Sequence, residues 1–169
     1  MVGQNCFQFS LMKRYVWRSE IYTNMIHPDT FKSTKFNGSK GLVMFGDKML
    51  VYRRDGNTQS SPFCLDLPGG GREGAETPFD TFKRELKEEF DLDIQKEQVH
   101  SSYQFPSILF PGELSFFFVT KPMNYDIKDI NFGSEGLEWM LMTPQEFLER
   151  TDAIPRQQDR VRKILTEIE

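Results

Sequence analysis

A chain of 169 residues, 38% hydrophobic and 27% charged, is long enough to bury the core of one ordinary domain without disulfide or metal staples. Its net charge of −4 lacks the basic surplus of a non-specific nucleic-acid binder, so no such binding is expected, and a small anionic ligand would need cations placed locally. No run approaches the ~18 apolar residues of a membrane span, and the first thirty residues lack an apolar signal core, so the expectation is a cytoplasmic protein without membrane contact.

Residues 1–30 read as an N-terminal arm, closed by a turn at His27-Pro28-Asp29 and packed on a single domain covering residues 1–169. Leu42–Phe45 and Met49–Tyr52 are short apolar runs, joined as a hairpin by Gly46-Asp47-Lys48. Asp55–Pro62 is polar and reads as a loop. Phe63–Leu67 is a further strand, stopped by Pro68 and three glycines. A helix follows. Thr77 is its N-cap, Pro78 its first residue, and Asp80 completes a capping box. Phe79, Phe82, Leu86 and Phe90 share one face, whose burial contributes at most roughly 6–12 kcal/mol. Leu114–Thr120, with Phe116, Phe117 and Phe118, is a buried strand rather than a base-stacking platform. Leu137–Met142 is another strand, with Trp139 in the core. Thr143-Pro144 opens a short helix to about Arg150, and Val161, Ile164, Leu165 and Ile168 give the tail from Arg156 a helical stripe. Strands interleaved with helices predict a layered α/β domain. Cys6 and Cys64 lie in no metal-binding spacing and read as reduced thiols, with Cys64 a small core residue. His27 and His100 are isolated and read as neither ligands nor bases.

Chemistry concentrates on the capped helix. Glu85, Glu88 and Glu89, spaced i, i+3 and i+4, share a face beside the apolar stripe. At roughly 6 Å and an effective dielectric near 20, each pair repels by about 3 kcal/mol before screening. Alone they could be a solvated helix face; hard cations would relieve the repulsion, and oxygen ligands favour Mg²⁺ or Mn²⁺. The preceding Pro68-Gly69-Gly70-Gly71 lets backbone approach a phosphate or a metal, and Arg84 can tie Glu76 in the loop to the helix.

Read in order, Gly70, five residues, Glu76, seven residues, then Arg84-Glu85-Leu86-Lys87-Glu88-Glu89-Phe90-Asp91-Leu92 resembles the Nudix box, with Asp91 where the pattern has Gly. That position ends the helix, and Asp tolerates the left-handed conformation better than most residues. The resemblance implies an α/β/α sandwich around a mixed sheet, and a Mg²⁺-dependent pyrophosphohydrolase acting on a small nucleotide. It implies that Glu85, Glu88, Glu89 and the Gly69 backbone hold the metal, with Gly70 and Glu76 supporting the site. The catalytic assignments are Glu88, Arg84 and, from the loop at Gly133–Gly136 that its glycines mark as mobile, Glu135; Glu113 is a second candidate for that late glutamate. Arg53, Arg54 and Arg72 would hold phosphates. The Glu135–Trp139 spacing is similar to that of triphosphate-cleaving members, and Ser102–Ser107 faintly resembles the stretch after the box in NADH and ADP-sugar hydrolases. A nucleotide sensor on the same fold, binding without cutting, is the alternative, though sensors usually lose these glutamates. An isopentenyl diphosphate isomerase would need a catalytic Cys and metal-binding His residues for which no suitable pattern exists. The apolar arm could serve a homodimer.

Overall fold

A computed structural model describes residues 25–58, 60–107 and 109–168. Among these residues, eight strands and three α-helices run in the order β1 Gly38–Leu42, β2 Met44–Phe45, β3 Lys48–Arg54, β4 Leu65–Asp66, β5 Gly69–Gly71, α1 Pro78–Phe90, β6 Val99–Pro106, β7 Leu114–Thr120, β8 Gly136–Met142, α2 Pro144–Glu149 and α3 Pro155–Ile168. They form two sheets. The first is mixed, in the order β5-β1-β7-β6, with β1 and β7 parallel. The second is antiparallel around β3, which pairs with β2, β4 and β8.

The period-2 alternation of the strands sorts the core into two halves. Phe116 and Phe118 of β7, with Leu50 and Tyr52 of β3, pack with Phe79, Phe82, Leu86 and Phe90 of α1. Phe117, Val119, Met49 and Val51 face the other way, against Phe147 of α2 and Val161, Ile164 and Leu165 of α3. The sheets are therefore the middle layer of an α/β/α sandwich, as the sequence led us to expect. The ring of Phe82 stacks on Phe118 with centroids 4.7 Å apart, which fixes α1 over the mixed sheet.

Each α1 signal in the sequence has its structural counterpart. Thr77 and Asp80 exchange the capping-box hydrogen bonds, and Asp91 ends the helix at φ 56° and ψ 25°. Its carboxylate is paired with Lys87 one turn back. Other segments depart from expectation. Gly69–Gly71 is a strand as well as a turn, pairing with β1. Strand β6 lies at an edge with a largely polar sequence, VHSSYQFP, which hides it from an apolar-run reading. Phe63 is exposed and has φ 62°, so the expected strand shrinks to Leu65–Asp66. Cys64 is only partly buried. Most of the N-terminal arm, including Cys6, lies outside the described residues; Ile26 bridges to Ser102 on β6.

Candidate active site

The strand–turn–helix from β5 to α1 brings backbone and carboxylates together. Gly69 has φ 116°, a conformation open to glycine and strained for other residues. A Cβ on Gly70 would lie 2.5 Å from the Glu85 carboxylate, so glycine there makes room for that acid. The Gly69 N–H donates to Glu89 Oε2 at 2.9 Å. Glu89 is 5% exposed, and burial pushes its carboxyl up to about 8, with Lys40 and the Gly69 N–H pulling the other way. Burial likewise raises Glu85, opposed by Arg84.

Arg84 organises the rest. Its Nε donates to Glu76 Oε1 at 2.7 Å, its Nη1 to Glu85 and Glu88 at 2.9 Å each, and its Nη2 to the Gly71 carbonyl at 2.8 Å. Burial works to raise Glu76, but the Arg84 hydrogen bond and its companions prevail and hold it below the usual carboxylate range. The loop is thus tied to the helix as the sequence implied. The three glutamates, however, do not gather at one point: Glu89 is buried, Glu85 faces a cleft, and Glu88 is exposed against Arg84. Among the described residues no three acidic, histidine or cysteine side chains converge closely enough to hold an ion as they stand. The Arg84 guanidinium bridges Glu85 and Glu88. The donor chemistry still fits a hard cation, since every group on offer is a carboxylate or carbonyl oxygen.

Gly69–Gly71, Glu85 and Glu89 line a cleft of about 570 Å³, within the range of small-ligand sites. Glu135 lines the same cleft. Its loop is held to the end of α1, with the Gly133 N–H donating to the Glu89 carbonyl at 2.8 Å and Asn131 N–H to Phe90. A Cβ on Gly133 would sit 2.8 Å from the Glu88 carbonyl, so that glycine serves close approach, a second reason for a residue read only as a mark of mobility. Glu113 is not on the cleft wall.

The three arginines assigned to phosphate divide. Arg54 lines the cleft, bonded to Asp66 at 3.3 Å, with its buried Nε unpartnered. Arg53 and Arg72 do not line it. Strand alternation sends Arg53 to the opposite face from Arg54, where Glu138, Asp152 and the Phe63 carbonyl engage it. Arg72 donates to the Thr34 carbonyl and lies over the Phe36 ring. Several residues of the cleft escaped the sequence reading, among them Lys40, Asp66, Arg156 and Arg160. Lys40 Nζ reaches the carbonyls of Gly69 at 2.6 Å and Leu67 at 2.9 Å, and Asp66 at 3.0 Å. Asp66 is fully buried, receiving Lys40, Arg54 and the Gln157 amide. Arg156 and Arg160 come from α3. A lysine in Gly-Ser-Lys-Gly and two arginines in a charged helix carry no local signal of a site.

The sequence matches the NUDIX domain over residues 36–164. No curated protein sequence matches. Among solved structures, a MutT protein from Methanosarcina mazei Go1 superposes with a TM-score of 0.65 at 18% identity, covering 78% of this chain and 94% of that one. An Ap4A hydrolase from C. elegans gives 0.60 at 18%, covering 78% and 97%. A bifunctional NMN adenylyltransferase/ADP ribose pyrophosphatase from Francisella tularensis, complexed with AMP and a Mn ion, gives 0.53 at 20%, covering 71% of this chain and 36% of that one. At these identities the likeness is one of fold.

Proposed function

The chain belongs to the Nudix hydrolase family, whose members typically use divalent metals, and from that premise we propose that it hydrolyses a pyrophosphate linkage in a small nucleotide with Mg²⁺ or Mn²⁺. The observation that carries the reading is the pair Glu85 and Glu89, one turn apart on α1 and lining one cleft beside the Gly69–Gly71 backbone, which together offer the carboxylate and carbonyl oxygens that a hard cation takes. Glu85, Glu88, Glu89 and the Gly69 carbonyl would hold it, which requires Arg84 to yield Glu85 and Glu88 and Lys40 to yield Gly69. A bound divalent cation would offset diphosphate charge and make water a better nucleophile.

The chain's own residues supply the rest. Arg84 keeps the glycine turn, Glu76 and the helix in register, so the backbone stays where a phosphate can approach. Arg54 and Lys40 present positive charge to phosphate oxygens. Glu135 accepts the proton of the attacking water as its oxygen bonds to phosphorus and the bridging oxygen leaves with the departing phosphate.

A panel of ADP-ribose, NADH, dinucleoside polyphosphates, sugar nucleotides and dNTPs tests the proposal. With Mg²⁺, the protein is expected to release phosphate or a nucleoside monophosphate from at least one of them. Glu89→Gln should lose about 100-fold or more in kcat while its circular dichroism is unchanged. Tight binding of one compound without turnover would move the assignment to a nucleotide sensor. Full activity in Glu89→Gln would remove the metal-site assignment.

A further inference from the structure

The cleft carries both signs of charge. Acids of α1 and of the loop at Glu135 line it, and so do two arginines from the first turns of α3. The segment leading into α3 is pinned to β4, with Leu65 N–H donating to the Asp152 carbonyl at 2.8 Å and Ile154 N–H to the Leu65 carbonyl at 3.0 Å. That docking fixes Arg156 and Arg160, one turn apart on the same helix face, on the cleft wall. Arg160 is held tightly. Its Nη2 donates to Ser115 Oγ at 2.6 Å, and its guanidinium lies 5.4 Å from the centroid of the Phe105 ring. Yet no carboxylate pairs with either arginine among the described residues. Asp66, the acid that does act on Arg160, already receives Lys40, Arg54 and Gln157. Burial and the Arg156 charge both depress Arg160. Two like charges, half-buried one turn apart and without an ion-pair partner, are a costly arrangement unless an anion completes it.

The sheet gives the distance scale. Ser115 pairs with Gly38, and Gly38 pairs with Gly71, so the Arg160 anchor lies two strands from the glycine turn, about 10 Å across the cleft floor. One phosphate cannot serve both the glycine turn and the Arg160 anchor. We propose that Arg156, Arg160 and the Ser115 hydroxyl form a second anion subsite, which takes a phosphate group of the substrate distal to the linkage that is cut. The substrate class is then a nucleotide phosphorylated beyond the scissile bond, in preference to one ending in a neutral sugar. Which phosphate is distal rests on the hydrolase reading; that the arginine pair binds phosphate does not.

Titration calorimetry with inorganic pyrophosphate in EDTA separates the two. Wild-type protein is expected to bind without metal, Glu85→Gln/Glu89→Gln to bind within about twofold of wild type, and Arg156→Gln/Arg160→Gln at least tenfold more weakly. Arg160→Lys should recover part of the loss, because the charge returns. If the double variant unfolds, Arg156→Gln alone is read, and it should weaken binding about threefold. Binding that EDTA abolishes, or that the arginine variants leave unchanged, overturns the subsite. In turnover, Arg156→Gln should raise KM for substrates with a distal phosphate and leave KM unchanged for matched substrates lacking it; an equal rise for both also overturns it. EDTA-resistant binding with no turnover of any substrate would instead sink the hydrolase reading and leave the subsite standing.

Discussion

At the scale of single residues, neighbouring acids in the sequence end in different environments. Glu89 is buried behind the Gly69 amide, Glu85 faces the cleft with a guanidinium on one oxygen, and Glu88 is exposed. Glu135 has no ion-pair partner among the described residues and lines the cleft, which suits a group that must exchange a proton with water. Glu135→Gln is therefore expected to lower kcat about 100-fold with little change in KM or Tm. Retained kcat would transfer the base role to a glutamate of α1.

At the scale of elements, α1 is specified at both ends by local chemistry. The Asp91 cap adopts the left-handed conformation, where Asp is tolerated, Gly unstrained and a β-branched residue strained. Asp91→Val should cost about 1–2 kcal/mol from backbone strain, while Asp91→Gly should match or exceed the native stability. Urea unfolding at constant m gives the order. A Val variant as stable as the native chain would show that Leu92, whose N–H donates to the Leu86 carbonyl at 3.2 Å, can close the helix with its neighbour in another conformation.

At the scale of the whole molecule, Asp152 joins distant parts of the chain. Arg150 donates two hydrogen bonds of 2.7 Å to it, and Arg53 on β3 a third at 3.1 Å. The Arg150 hydrogen bonds hold its carboxyl down to about 2, below the ordinary aspartate value of ~3.9. Because the folded pKa is the lower one, the stabilisation is fully present above about pH 4 and is lost as pH falls through about 2. Asp152→Asn should accordingly unfold more easily than wild type at pH 7, with the gap closing toward pH 2. The side chain is 35% exposed, so high salt should shrink that gap as well. A gap independent of pH would assign the effect to packing.

Sequence alone identified the glutamate-bearing helix, its caps, its buried stripe and the family, because those signals are local: period, cap chemistry and spacing within 23 residues. The buried run of β7 was legible for the same reason. It could not separate Arg53 from Arg54, since strand alternation distinguishes adjacent side chains only once the faces of the sheet are known. Nor could it find Lys40, Asp66, Arg156 and Arg160. They meet through the pairing of β1 with β5 and the docking of α3 onto β4, contacts between segments far apart in the chain. Only the tertiary structure decides which charges are left without partners, because compensation depends on three-dimensional neighbours and burial.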